Sequence, residues 1–345
     1  MKDTKMAVRM IALLSIQHML VDFMCAYGLY HDSSIPFAGY VTYNFLAFVL
    51  QFPFGVLADH LTRKNRDRLL GSVMMVIAGT LLTVTGSWYA PVLAGLGNAL
   101  FHVGGGILAI KEDDRSHFRG RALGVFVAPG AIGLFMGMLL SRSSAYAALK
   151  IAVSLIMLAM SLLIGVTYSV NSPNYHPTEG KEGKVVPVAL CCFAVVALRS
   201  LVGLGIAFPW KTTTLLSVLS VICLASGKTL GGLVAARFGM KKTIVVSLLA
   251  SAICYLLGNN AIFGLLALVL FNMTMPLTLY LLAKTMPDQP GAAFGILTVA
   301  LFVGYLPTAY RFISQVSPVI LGSVSSLVSL VVLLWVVRMC GDDLA

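Results

Sequence analysis

Asp22 is the acidic side chain that lies well inside an apolar stretch of this chain, and its neighbours suggest what it could do. His18 stands four residues earlier, one helical turn away on the same face and about 6 Å along the axis. Asn98 and His102 repeat that spacing further on. A histidine beside a carboxylate can exchange a proton with it, and an ionised Asp at mid-span costs roughly 2.5–3.5 kcal/mol on insertion scales. Asp22 therefore either pairs with an intramembrane cation, Arg199 or Lys228, or binds a proton. Alternation between those states is a physical route to proton coupling. Arg199 and Lys228 lie in spans of the second half that hold no acidic residue of their own. A planar guanidinium there suits an anionic or phosphonate-like substrate. Asn272 and Gln51 complete the mid-span polar set, either facing a substrate or bonding across helices.

The elements that must position these residues are membrane spans. The chain of 345 residues is 59% hydrophobic and 11% charged, with a mean hydropathy of +0.92. A water-soluble domain of that length carries far more charge. Apolar residues run in blocks of about 20, the length that crosses a bilayer core of roughly 30 Å. Twelve such blocks can be read, at about 6–30, 37–60, 68–86, 88–110, 121–140, 146–169, 185–208, 213–236, 243–258, 261–284, 291–311 and 315–338. β-Barrel strands would be about 10 residues long with alternating polarity, so they are excluded. The expected fold class is all-α, a polytopic membrane protein of about 12 helices.

Charge sets the expected orientation. With the N-terminus inside, eighteen of the 24 Lys and Arg fall on cytoplasmic segments, and Arg142, Lys150, Lys211 and Arg311 fall outside. That split is a positive-inside signal, placing both termini on the cytoplasmic side of a cell membrane. The formal net charge of +11 then reports topology and an anionic inner leaflet, not nucleic acid. The first span carries His18 and Asp22 and lacks a small-residue cleavage site, so it reads as retained. The six cysteines show no metal-ligand spacing and read as small buried apolar residues; no metal and no cofactor is expected. Tyr27, Tyr30, Trp88, Tyr89 and Trp210 sit near outer span ends and read as an interfacial belt.

The chain also repeats itself. A loop at 170–184 separates an N-terminal six-helix bundle, 1–169, from a C-terminal one, 185–345. Gly55-Val-Leu-Ala-Asp59-His-Leu-Thr-Arg63-Lys64 returns 177 residues later as Gly232-Leu-Val-Ala-Ala236-Arg237-Phe-Gly239-Met-Lys241. Gly120, Gly124 and Gly133 return 171 residues later as Gly291, Gly295 and Gly304. Two segments with nearly the same offset argue for a duplicated unit. The first offset also relates Asp22 to Arg199 and Gln51 to Lys228.

At Gly55, Leu57, Asp59, Arg63 and Lys64 the chain resembles the major facilitator superfamily, whose loop between helices 2 and 3 reads G-x-L-a-D-r-x-G-r-k. Thr62 stands where the second Gly is usual, and Ala236 where the second loop has its Asp. The resemblance implies two six-helix bundles, pseudo-symmetric about the membrane normal, rocking around a central site lined by helices 1, 4, 7 and 10. It implies a gating contact of Asp59 at the start of helix 11, around Gly291, where free N–H groups and the helix dipole favour an anion. Gly232, Arg237 and Lys241 belong to the second copy of that gating loop. Ala99-Leu-Phe-His102 looks like the A-L-F-H-P segment of fosmidomycin-resistance-type efflux proteins, with Val103 in place of Pro. Gly124-x3-Ala128-Pro129-x3-Gly133 partly resembles the antiporter signature of helix 5; the glycines suit close helix packing and Pro129 a kink or hinge.

The expected function is secondary active transport of a small organic molecule, as proton-coupled export by alternating access. The alternatives are an uptake carrier for a metabolite or organic anion, a non-transporting scaffold or sensor, and an intramembrane acyltransferase suggested by His18-x3-Asp22. No nucleophile or catalytic loop accompanies that last pattern, so the chain is not expected to be an enzyme. No nucleotide-binding loop of the G-x-x-x-x-G-K-[ST] type is present either.

Overall fold

The computed structural model describes residues 2–64, 70–89, 91–169, 184–312 and 317–341. Most of the 170–184 loop, and the side chains of Arg63, Lys64, Trp88 and Tyr89, lie outside the described residues. The described residues are helical and contain no strand, the arrangement a bilayer demands because every backbone polar group must be satisfied within its own segment. Ten helices are long and apolar enough to cross a membrane, and Gly71–Ser87 is a shorter apolar helix. The block expected at 243–258 forms Met240–Leu256, only 17 residues long. The protein is thus an all-α multi-pass membrane protein.

The chain divides into two compact units. Unit 1 holds Met1–His117, Val125–Thr178 and Asp288–Thr298, and unit 2 holds Phe118–Gly124, Glu179–Pro287 and Val299–Ala345. The division follows the sequence halves except at 118–124 and 288–298, which are exchanged.

Unit 1 is built from α1 (Lys2–His31), α2 (Phe37–Asn44), α3 (Gln51–Lys64), α4 (Leu70–Tyr89), α5 (Pro91–Arg115), the end of α6 (Arg121–Val127), α7 (Pro129–Leu140) and α8 (Tyr146–Ser169). α2 and α3 form one span, interrupted by a π-helical turn at Phe45–Val49. Pro53 explains the interruption: it has no N–H to donate and its ring crowds the Val49 carbonyl. α6 and α7 likewise form one span, broken at Ala128 where Pro129 begins α7. Glycines set the helix spacing. α7 packs along α1, and a Cβ on Gly133 or Gly137 would collide with the Met19 or Phe23 carbonyl. α4 lies against α5 in the same way, through Gly79 and Gly97. Ile151, Leu155, Leu162 and Val166 of α8 remain exposed, as lipid-facing side chains do.

Unit 2 contains α9 (Val185–Gly205), α10 (Thr214–Phe238), α11 (Met240–Leu256), α12 (Ala261–Asn272), α13 (Thr274–Thr285), most of α14 (Pro290–Ala309) and α15 (Pro318–Cys340). α12 and α13 are one span broken at Met273, where Pro276 removes the N–H that would reach Asn272. α11 packs on α15, and α9 on α13 and α15. Gly124 and Gly232 pack closely within this unit, against the Lys228 and Gly120 carbonyls respectively.

One expectation about aromatic residues needs correction. Tyr27 is fully buried, not interfacial. It stacks on Phe23 and Tyr146 and donates its hydroxyl to the Tyr146 carbonyl. Aromatic packing inside the unit outcompetes the interface.

Candidate functional site

Four mid-span polar residues of unit 1, His18, Asp22, Asn98 and His102, converge on one buried cluster. α1 presents His18 and Asp22 one turn apart, and α5 presents Asn98 and His102 at the same spacing. His18 Nε2 lies 3.2 Å from Asp22 Oδ2, and His102 Nε2 3.6 Å from Asp22 Oδ1. The two Nε2 atoms are 2.9 Å apart, and the imidazoles meet edge to face. Asn98 Nδ2 donates to Asp22 Oδ1 at 3.0 Å, holding the carboxylate from a third direction.

The outer nitrogens fix how the rings present themselves. His18 Nδ1 is 2.7 Å from the Phe126 carbonyl, and His102 Nδ1 is 2.8 Å from the Asn98 carbonyl. A carbonyl oxygen can only accept, so each Nδ1 carries a hydrogen and each Nε2, in the neutral ring, offers a lone pair. The Phe126 carbonyl reaches His18 beside the break at Ala128–Pro129. Two lone pairs and a carboxylate thus point at one small volume. Gly130 leaves room for them, since a Cβ there would collide with both His18 Nε2 and Asp22 Oδ2. Asp22 keeps 18% side-chain exposure, so one side of the cluster stays open.

Asp22 was expected either to pair with Arg199 or Lys228 or to bind a proton. Within its own unit, its carboxylate is engaged by His18, His102 and Asn98. Those donors lie on its own helix and on α5, packed directly beside it.

In unit 2, Arg199 of α9 is 5% exposed, and neither terminal guanidinium nitrogen has a hydrogen-bond partner among the described residues. Lys228 is half-buried on α10. Asn272 is buried and donates to the Leu268 carbonyl at 2.8 Å. In unit 1, Gln51 is fully buried and donates to the Ala47 carbonyl within the π-turn, while its own oxygen has no partner among the described residues. Asn272 and Gln51 thus stabilise interrupted helices locally.

Of the residues expected to form a gating loop, Asp59 is buried and bidentate. Its Oδ1 accepts from the Gly291 N–H at 2.9 Å and its Oδ2 from the Ala292 N–H at 2.8 Å. These are orphan donors of the first turn of α14, where the dipole also favours an anion. Gly55 and Gly291 lie backbone to backbone beside this contact. Arg237 and Lys241 are exposed, and Arg63 and Lys64 lie outside the described side chains.

Three features were not read from sequence. Gln17, wholly buried, donates to Thr80 Oγ1, the Met157 carbonyl and Ser161 Oγ, tying α1 to α4 and α8; its place next to His18 was the available signal. Lys150, counted among the outside charges, is 2% exposed and donates to the Ser87 carbonyl and the Tyr146 hydroxyl. Beside it is a cavity of about 400 Å³ lined in part by His31, Asp32, Tyr146 and Lys150. The third is the apposition of His18 and His102.

No family model matches the chain, and no curated protein matches it. Solved structures do. The chain is similar to the Escherichia coli fucose:proton symporter FucP, in a single-residue variant, with a TM-score of 0.64 at 14% identity, over 97% of this chain and 99% of that one. A second structure of FucP, described as a major facilitator superfamily transporter in the outward conformation, gives a TM-score of 0.64 at 15% identity over 98% and 100%. Neither is an efflux protein by its printed name, so these likenesses do not support the drug-efflux branch expected from Ala99–His102 and Gly124–Gly133. What they show is the fold: the chain shares the overall helical architecture of these two structures.

Proposed function

We propose that this protein is a secondary active transporter of a small organic anion, coupled to a cation held by the His18–Asp22–His102 cluster. The observation that carries the substrate class is Arg199: a buried guanidinium whose two terminal nitrogens have no partner among the described residues. Leaving a buried charge without a counter-charge is costly, and a carboxylate or phospho group matches the guanidinium fork. The coupling site is separate in kind, an anionic oxygen and two ring nitrogens that together attract positive charge. The coupling ion in the printed name of the neighbour is the proton, which makes a pH gradient the first driving force to apply. The same name describes symport, which favours uptake over the export expected from the efflux-like motifs. Placement in the cytoplasmic membrane with both termini inside rests on the positive-inside distribution.

The test is accumulation of radiolabelled carboxylates and organophosphates in proteoliposomes under an imposed pH gradient. Wild-type protein should accumulate at least one anionic class above empty vesicles, and Arg199→Ala should abolish that accumulation. Asp22→Asn should lose uphill accumulation. Transport of neutral or cationic solutes, unaffected by Arg199→Ala, would sink the proposal.

A further inference from the structure

We infer that His18, Asp22 and His102 form a binding site for a divalent transition-metal ion, with imidazole-preferring ions such as Zn²⁺ or Co²⁺ as the class of occupant. The inference rests on the reading of this cluster as a cation site and specifies which cation it is built for.

The argument is geometric. His18 Nε2, His102 Nε2 and an Asp22 carboxylate oxygen all lie within 4.8 Å of one another. The two Nε2 atoms are 2.9 Å apart, and the carboxylate oxygen nearest each ring is 3.2 Å away (Oδ2 from His18) and 3.6 Å away (Oδ1 from His102). Ligand atoms about 2.0–2.1 Å from one tetrahedral ion stand roughly 3.3 Å apart, so the observed spacings bracket that of a shared ion. A single proton needs only one short contact, and here three acceptor atoms converge.

The surroundings have the form of a metal site's outer shell. Ligating histidines donate the other ring N–H to a carbonyl or carboxylate, which fixes the tautomer and the ring plane. Both rings do so here, to the Phe126 and Asn98 carbonyls. Asn98 Nδ2 then orients the carboxylate. Gly130 keeps the space clear, and the partial exposure of Asp22 leaves a fourth coordination position for water or a solute donor. Two imidazoles and one carboxylate favour Zn²⁺, Co²⁺, Ni²⁺ or Fe²⁺ over Mg²⁺ or Ca²⁺, which select oxygen ligands.

The experiment is titration of purified, tag-free full-length protein in detergent with Co²⁺, read by d–d absorption, and with Zn²⁺ in competition with a chromophoric chelator. One ion per chain is expected, with the intense visible bands of a four-coordinate Co²⁺ site. His102→Gln, His18→Gln and Asp22→Asn should each weaken binding at least tenfold. Asn98→Ala, a positioning change, should weaken it about 10- to 100-fold. His60→Ala and His117→Ala should leave it unchanged, and thermal unfolding in detergent confirms that each variant is folded. Absence of stoichiometric binding, or binding that survives Asp22→Asn combined with His102→Gln, overturns the metal site. Proton-driven transport without metal binding overturns the metal site and leaves the transport reading intact. Stoichiometric metal binding without transport of any solute does the reverse.

Discussion

Arg199 offers the sharpest test at the scale of single residues. Its replacement by alanine removes a charge-assisted contact worth roughly 2–3 kcal/mol, so apparent affinity for the anion should fall about 30- to 150-fold. Arg199→Lys should recover part of that loss, because an ammonium restores charge without the fork; competition binding measures both. Gln17 should behave differently. Its three hydrogen bonds run between helices, and such contacts average about 0.6 kcal/mol in membranes. Gln17→Leu should therefore lower stability slightly and leave transport near wild type, as thermal unfolding and flux will show. Much at this scale was legible beforehand. His18 and Asp22 share a face because the helical repeat places them there, and so do Asn98 and His102. What could not be read was the partner of Asp22. A repeat that maps Asp22 onto Arg199 states equivalence of position, not contact, and donors on α1 and α5 engage the carboxylate.

At the scale of elements, prolines and glycines decide where the site can form. Pro129 breaks the span at Ala128, beside the Phe126 carbonyl that receives His18. Gly133 lets α7 close onto α1 at Met19, next to His18. Gly133→Ala should push the two helices apart and cost about 1–3 kcal/mol by overpacking, seen as a lower midpoint of thermal unfolding with weakened binding at the cluster. Asp59 is the other element-level device, tying α3 to the first turn of α14 through two charge-assisted hydrogen bonds. Asp59→Asn keeps the shape but removes the charge and one acceptor. It should weaken this clamp by roughly 1.5–3 kcal/mol, enough to shift a two-state equilibrium about 10- to 150-fold. The prediction is a changed conformational distribution and reduced transport without loss of folded protein, checked by site-directed spin-label distances and flux. Span positions were legible because 20 apolar residues admit one structure in lipid. The interruptions at Phe45–Val49 and Met273 were not, because a proline bends a helix only as far as its neighbours permit.

For the molecule as a whole, topology and direction are the properties to measure. Reporter fusions should place the C-terminus after Arg338 in the cytoplasm, since basic flanks resist translocation; an external C-terminus would reverse the expected polarity. Direction can be read in an efflux-deficient bacterial host exposed to toxic phosphonates. Sensitisation by the wild-type protein, lost in Arg199→Ala, is the expected result for an uptake carrier, whereas tolerance would mark export. The sequence by itself determined that this is an all-helical membrane protein, and its repeated segments pointed to a duplicated plan. Composition, span length and a 177-residue offset are one-dimensional properties, and a bilayer leaves few structures compatible with them. It also singled out the polar residues, because each is an exception to that apolar background. The tertiary structure alone decided which of them meet. Whether His18 and His102 touch depends on the separation and rotation of α1 and α5, and those are set by glycine contacts, helix breaks and interhelical hydrogen bonds far apart in the chain. Pairing within the cluster is therefore a property of packing, which no spacing within one helix can encode.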